Sequence, residues 1–368
     1  MDLEERVRRL AASADDLSGV RAGLDRALRA SVPYDVAAIS TVDPATMLWT
    51  SCFISGLPAE GATERERQIL ELEFSGADIN IYTDLANSGT LVARLHQTTN
   101  GELTKAKRWV RLLSHLDVID EMRVVLASRE MVWGTLALYR QAPRPPFTER
   151  DEIAVRGAVT AMADLFRLVM LRAALGAPSD VDRPPGLLVV SPDGQIETVS
   201  EEARAWLDAI DDRNRIPSAI RSVAAAAAAG DGLAHAAFPA PEGGWVMIHA
   251  SPLAGGQRDG SVGIIIEEAR PVTLSGVIAG AYGLTGRERE ITALAAQGRS
   301  TKQIALALRI SPFTVKDHLK SVFSKVGVQS RAELVATLYV QHYAPRRAAG
   351  ATPSPYGWYL DDYAPAAV

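Results

Sequence analysis

The chain has 368 residues, 47% of them hydrophobic and 23% charged, the profile of a folded protein long enough for two or three domains. No apolar run approaches the ~20 residues of a bilayer span, and the charged start MDLEERVRRL lacks a secretory core. A single cysteine, Cys52, allows neither an internal disulfide nor a thiolate zinc site, so a cytoplasmic protein is expected.

A net charge of −5 excludes a protein that coats nucleic acid with its whole surface. The distribution is uneven. Between Leu284 and Tyr343, nine Lys/Arg face four Asp/Glu, which leaves that segment +5 and the remainder −10. A basic end on an acidic body fits a modular nucleic-acid binder, because only the module that meets phosphate needs positive charge.

In chain order, apolar residues three and four apart predict a helix over Leu3–Arg29. Asp35–Ile54 alternates around an Asp43-Pro44 turn and reads as a hairpin. Glu64–Leu72 and Lys105–Leu116 read as helices, Arg123–Ser128 and Val132–Tyr139 as strands. Thr148 with Asp151 three positions on caps a long apolar helix that ends near Leu175. Its seam of Ile153, Val159, Met162, Phe166 and Val169 can bury against its own sheet or pair with a second chain.

The polar stretch GAPSDVDRPP, Gly176–Pro185, marks a boundary. GLLVVSPDGQIETVS is then two strands around an Asp-Gly turn, followed by the helices EEARAWLDAI and IPSAIRSVAAAAAAG and the strands WVMIHASPL and SVGIIIEEA. The alanine run at 224–229 reads as a good helix former. A second boundary falls near Pro271, and the Pro/Ala/Gly-rich end from Ala344 lacks periodicity.

The most informative segment is 284–338. Thr285 and Glu288 form a capping box for a helix that Gly298 stops. Ser300 caps a second helix, in which Ile304, Ala305 and Leu308 face inward. Ser311 caps a third, with Pro312 at its first position. That third helix turns Val315, Leu319, Val322 and Val326 inward and Thr314, Lys316, Asp317, His318, Lys320 and Lys325 outward. A fourth helix begins at Ser330. Two short helices joined by a tight turn, the second basic on its outer face, suit a recognition helix in the major groove. Ser300, Thr301 and Lys302 can offer backbone N–H groups to a phosphate.

These residues carry a resemblance. Leu284-Thr285, Arg287-Glu288, Glu290, Gly298, Thr301-Lys302-Gln303-Ile304-Ala305, Ser311, Thr314-Val315-Lys316, His318, Val322, Lys325, Gly327-Val328 and Ser330-Arg331 resemble the LuxR-type helix-turn-helix. The resemblance implies binding to double-stranded promoter DNA, with contacts at Ser300, Thr301, Lys302, Thr314, Val315, Lys316, His318, Lys320, Lys325 and Arg331. It also implies a homodimer that reads two half-sites, with RNA polymerase a further candidate partner, and makes Glu288 a structural acid paired with Arg331 or a neighbour. Asp317 departs from the pattern, since family members often carry Asn or a basic residue there.

The front lacks the acidic and lysine pattern of a phosphoacceptor receiver, and no GxxxxGK[ST] occurs. The order of helix, hairpin, helices, strands with Trp133-Gly134 and a long helix resembles a GAF domain; the order after residue 184 is similar to a PAS domain. The expected fold is therefore α+β sensory domains, antiparallel sheets with flanking helices, followed by an all-α four-helix helix-turn-helix domain. The expected organisation is a GAF-like domain at 1–175, a PAS-like domain at 184–270, the DNA-binding domain at 278–343 and a loose tail at 344–368.

Both front folds can hold a small apolar or aromatic effector between sheet and helices. Trp49, Phe53, Trp109, Leu113, Met122 and Trp133 are the candidate pocket residues. Neither His96 and His115 nor Cys52 forms a metal-ligand cluster, so no metal or cofactor is expected, and no nucleophile elbow or paired carboxylates suggest an enzyme. The competing reading is a front part that senses a protein partner, with a core filled by its own side chains.

Overall fold

A computed structural model of the chain describes residues 2–13, 16–58, 60–175, 183–210, 216–230, 232–240, 245–254, 260–269, 282–296 and 298–334. The expected opening helix is two helices, α1 (Leu3–Ser13) and α2 (Leu17–Arg29). Asp16 separates them, because its carboxylate accepts from the Gly19 N–H and caps α2.

Strands β1 (Val36–Val42), β2 (Trp49–Ser55), β3 (Val92–Arg94), β4 (Val118–Ser128) and β5 (Met131–Gln141) form an antiparallel sheet in the order β2-β1-β5-β4-β3. Asp43 makes the expected β1–β2 turn, accepting from the Ala45 N–H at 2.8 Å. Between β2 and β4 lie α3 (Ala62–Phe74), α4 (Tyr82–Asn87), α5 (Leu95–Thr98) and α6 (Lys107–Arg111). Of these, β3, α4 and α5 escape the sequence reading, being too short to show periodicity.

Both faces of this sheet are covered, and the period-two alternation of strands decides which residue meets which cover. Ala37, Ile39, Met122, Val124, Leu136 and Leu138 turn to α2 and to the long helix α7 (Glu149–Leu175). Val36, Ala137, Val118 and Tyr139 turn the other way, towards Leu112 and Leu113. At Gly134 the β1 backbone comes so close that a Cβ would stand 2.6 Å from the Ser40 carbonyl oxygen. The seam of α7 packs on its own sheet and on α1: Val159, Met162 and Phe166 are buried there, while Ile153 is exposed. Thr148 and Asp151 exchange the expected capping bonds at 2.8 and 3.2 Å.

A second antiparallel sheet has the order β7-β6-β10-β9-β8, from β6 (Gly186–Val190), β7 (Ile196–Val199), β8 (Ala234–Pro239), β9 (Trp245–Pro252) and β10 (Val262–Glu268). Helices α8 (Glu201–Ile210) and α9 (Ser218–Ala229) cover one face. The alanine run does more than form a helix. Ala224 and Ala227 pack on the second sheet while Ala225 packs against residues of the first, so small side chains let α9 lie between two sheets. Three buried polar contacts join them: Trp49 N–H to Ser222 Oγ at 2.8 Å, Ala237 N–H to Asp43 Oδ2 at 2.8 Å, and an Arg221–Glu66 ion pair.

Three helices follow: α10 (Gly286–Ala296), α11 (Thr301–Leu308) and α12 (Pro312–Val326). The fourth expected helix is described only over 331–334. Most of the Gly176–Pro185 linker, the boundary near Pro271 and the tail lie outside the described residues.

Over the first sheet lies an ionic network that the sequence reading missed. Arg108 pairs with Asp78 at 3.0 Å and Glu121 at 2.5 Å; Arg123 pairs with Glu121 at 3.0 Å and Glu73 at 2.6 Å. All five side chains are buried, so removing one partner strands a charge in a medium that solvates it poorly. Arg108→Met should lower unfolding stability by about 3 kcal/mol in urea titrations followed by fluorescence. Arg8→Met, at an exposed i,i+4 pair with Glu4, should leave the urea midpoint essentially unchanged.

Candidate nucleic-acid interface and the cavity of the first sheet

The three C-terminal helices are fixed by their caps. Thr285 N–H donates to Glu288 Oε2 at 2.8 Å and Glu288 N–H to Thr285 Oγ1 at 3.3 Å, the expected capping box of α10. Ser300 and Gln303 form another at α11, and Ser311 Oγ accepts from the Thr314 N–H at the start of α12. Since Ser300 and Gln303 spend their N–H groups on each other, Thr301 and Lys302 carry the N–H groups without an intrahelical acceptor. Ile291, Ala295, Ile304, Ala305, Val315 and Leu319 close the core between the helices.

On the open side of α12, Phe313, Lys316, Asp317 and Lys320 are exposed at i, i+3, i+4, i+7 spacing, one continuous stripe. Phe313 stands 74% exposed and Leu306 on α11 82%, two large apolar side chains open to solvent. Sequence reasoning passed over Phe313, because a phenylalanine beside a cap reads as core.

Among the described residues, the first-sheet domain meets this unit at the β4–β5 turn and where Tyr282 packs against its core. The β4–β5 turn brings Glu130 Oε2 within 2.8 Å of the Gly286 N–H at the start of α10, and Arg129 donates to the Gly283 carbonyl at 3.5 Å. A carboxylate at a helix N-terminus is favoured by the macrodipole.

On the outer face of the first sheet, between β1, β2, β5 and the segment from α3 to the turn at Leu113–Leu116, lies a cavity of about 60 Å³. Its wall is mostly apolar, with Val36, Ile54, Ile69, Leu112, Leu113 and Val118 among its residues. The polar groups in it are few: Ser40, Cys52, Arg65, Glu66, Tyr82, Arg123 and Tyr139. The Arg123 guanidinium stacks on the Tyr82 ring at 4.6 Å, and burial pushes the Tyr82 phenol above its ordinary range. Burial, with the nearby Glu66 carboxylate, pushes the Cys52 thiol up to about 12.

Comparison with known proteins locates one of these two sites in a family. The family described as bacterial regulatory proteins, luxR family, matches residues 283–338. The spore germination protein GerE of Bacillus subtilis is 44% identical over 55 residues, 15% of this chain and 74% of GerE. The chain belongs to the luxR family. The monoamine regulon transcriptional regulator of Klebsiella aerogenes is 46% identical over 57 residues, 16% of this chain and a quarter of that protein. The chain thus spans only a small part of the larger relatives, down to 6% of a putative helix-turn-helix regulator of Mycobacterium bovis. Among solved structures, the GAF domain of an Acinetobacter phosphoenolpyruvate-protein phosphotransferase is 13% identical with a TM-score of 0.32, covering 45% of this chain and 90% of that one. Escherichia coli SdiA is 11% identical with a TM-score of 0.35, covering 91% and 96%.

Within the luxR-family module the predicted contact residues divide. Ser300, Lys302, Lys316 and Lys320 are exposed, and Thr301, Thr314 and His318 half-buried at the same surface. Val315 is fully buried, so its side chain serves the core and not a groove. Lys325 and Arg331 are committed inward. Lys325 Nζ donates to Glu288 Oε2 at 2.5 Å, and Arg331 donates to the Ala295 carbonyl at 2.8 Å, closing the end of α10. Glu288 therefore pairs with Lys325, not Arg331, and also accepts from Ser321 at 2.6 Å.

Of the six candidate pocket residues, Trp49 and Leu113 line the cavity. Phe53, Met122 and Trp133 point to the opposite face, into the core under α2 and α7. For Phe53 and Met122 strand alternation is the reason: Cys52, Ile54 and Arg123, their neighbours in sequence, face the cavity. For Trp133 it is a bulge, since Leu126 pairs with Gly134 and Ala127 with Val132, leaving Trp133 over. Trp109 packs beside the cavity wall and donates to the Val118 carbonyl at 2.9 Å. Among the described residues no group of His, Cys, Asp and Glu could hold a metal ion.

Two outcomes follow from these environments. The raised Cys52 thiol should react with iodoacetamide at pH 8 roughly a thousandfold more slowly than a free cysteine, followed by intact-mass spectrometry; alkylation at the free-thiol rate would contradict its placement. Burial opposes the charge of Glu288, but the bonds from Lys325, Ser321 and the Thr285 N–H outweigh it and bring its carboxyl down to about 2. Its folded value lies below its unfolded one, so its stabilisation is complete above the ordinary carboxylate range and is lost as pH falls towards 2. Hydrogen exchange in α10 and α12 should accelerate on acidification across that window, and Glu288→Gln should show faster exchange already at pH 7.

Proposed function

We propose that the protein is a one-component, cytoplasmic transcription regulator, a non-enzyme that binds double-stranded promoter DNA through α12. The observation that carries this reading is the exposed stripe of Phe313, Lys316, Asp317 and Lys320 on the third helix of a luxR-family module. Lys316 and Lys320 meet base edges or flanking phosphates, Thr301 and Lys302 present α11 N–H groups to the backbone, and Phe313 supplies an apolar surface suited to a thymine methyl. Asp317 repels phosphate and is suited to a cytosine amino group. Two copies reading two half-sites about one helical turn apart complete the reading, with RNA polymerase contacted from the bound dimer.

The front acts as the sensor: a GAF-like domain over 1–175 and a PAS-like domain over 184–270, governing the DNA-binding domain at 278–343. A mostly apolar cavity with a few convergent polar groups favours a small-molecule effector over a core filled by its own side chains.

Lys316→Ala with Lys320→Ala should weaken binding of the full chain to its promoter DNA and flatten the salt dependence. Each lost phosphate contact lowers the slope of log K against log salt by about 0.9. Fluorescence anisotropy titrations from about 50 to 200 mM salt measure this. An unchanged slope would move the interface away from α12.

A further inference from the structure

Within the cavity, Glu66 stands apart. It is 8% exposed, it lines the wall, and its Oε1 is buried without a hydrogen-bond partner among the described residues. A buried carboxylate oxygen left unpaired costs free energy unless something arrives to donate to it. Its other oxygen, Oε2, is held by Arg221 of α9, across the contact between the two sheets. The charge of Glu66 is therefore already balanced by Arg221, and Arg65 adds a second cationic residue to the wall, its guanidinium donating to the Pro58 and Glu60 carbonyls. A second full cation brought to Oε1 would leave the cavity with excess positive charge. A neutral N–H or O–H group satisfies the oxygen and adds none.

Resting on the reading that this cavity is an effector site, we infer that the effector is a small, largely apolar molecule bearing one neutral N–H or O–H donor, which it gives to Glu66 Oε1. The apolar body lies against Ile54, Ile69, Leu112 and Leu113, and the donor fixes its orientation. Because the same carboxylate binds Arg221, occupancy is felt at α9. Donation to Oε1 draws on the acceptor charge that Oε2 shares with the guanidinium, so the join between the two sheets responds to the ligand's donor and not to its bulk.

The test is a matched pair of probes on the full chain: indole, with its N–H, and benzofuran, of the same shape with an ether oxygen in its place; benzylammonium serves as the charged control. Binding is measured by ligand-observed NMR, and hydrogen exchange is followed over Ser218–Ala229. Indole should bind about tenfold more tightly than benzofuran, the worth of one hydrogen bond to a charged acceptor. Indole alone should change exchange in α9. Equal affinity for the pair would overturn the donor assignment while leaving the cavity reading intact, and tighter binding of benzylammonium would overturn its neutrality. If no probe binds at all, the cavity reading itself fails. Glu66→Leu combined with Arg221→Met removes both charges together, so no buried ion is left alone. In that variant the two neutral probes should bind within about twofold of each other, and a persisting preference would place the acceptor elsewhere.

Discussion

The buried network of Asp78, Arg108, Glu121, Arg123 and Glu73 is what the outer face of the first sheet depends on. Glu121 and Arg123 are on β4, Glu73 on α3, Arg108 on α6 and Asp78 in the loop between α3 and α4, so five charges from separated parts of the chain meet on one strand. A hydrophobic cover would collapse onto the sheet and fill the space. An ionic frame has fixed bond directions, and it holds the cover at a set distance. The cavity lies beside this frame, with Arg123 and Tyr82 belonging to both. An apolar replacement of the network would often be as stable; the charges are better understood as what keeps the space open.

How far the sequence could be read follows from this. Capping boxes, Pro at the first turn and alternating strands are local signals, and Thr285–Glu288, Ser300–Gln303 and Thr148–Asp151 are found where residue spacing places them. The Lys325–Glu288 pair spans 37 positions and the Arg123–Glu73 pair 50, and nothing in spacing foretells either. The strand expected over Arg123–Ser128 stops short of Asp120 and Glu121, whose charges interrupt the apolar alternation. In three dimensions those charges are the interior. Trp49 and Leu113 line the cavity, while Phe53, Met122 and Trp133 lie off it for a different reason. Alternation would have rejected Phe53 and Met122 once Cys52 and Arg123 were assigned to the cavity side, but the choice of aromatic and large apolar residues favoured the packed face, where such side chains are most at home. Trp133 needed knowledge of a bulge, which depends on the pairing of two strands.

The contact between the two sheets is partly apolar, with Trp245, Met247 and Leu48 buried in it, and is pinned by buried polar groups. Asp43, Ser222 and the Glu66–Arg221 pair each satisfy a buried group on the other side, and burial raises the Asp43 carboxyl above its ordinary range. Such contacts fix one relative placement well, because misalignment by an ångström leaves a buried donor or acceptor unpaired. The alanines of α9 serve the same end by letting backbones approach. A change at Glu66 therefore has a stiff element to act on.

β4 and β5 extend this argument to the DNA-binding unit. Arg123 and Tyr139 face the cavity from these strands, and the same hairpin ends at Arg129 and Glu130, which meet Gly283 and Gly286. Both turn residues adopt positive φ, 52° and 65°, a tight reversal that aims the Glu130 carboxylate at the start of α10. That carboxylate is well exposed, and an exposed anion at a helix N-terminus contributes about 0.5 kcal/mol. A contact of this size shifts a two-state population by about twofold, and several such contacts acting together are needed for a strong response. The exposed stripe on α12 stays open while the contact is made, so the hairpin leaves it accessible. Its effect is on how the module is held relative to the first-sheet domain.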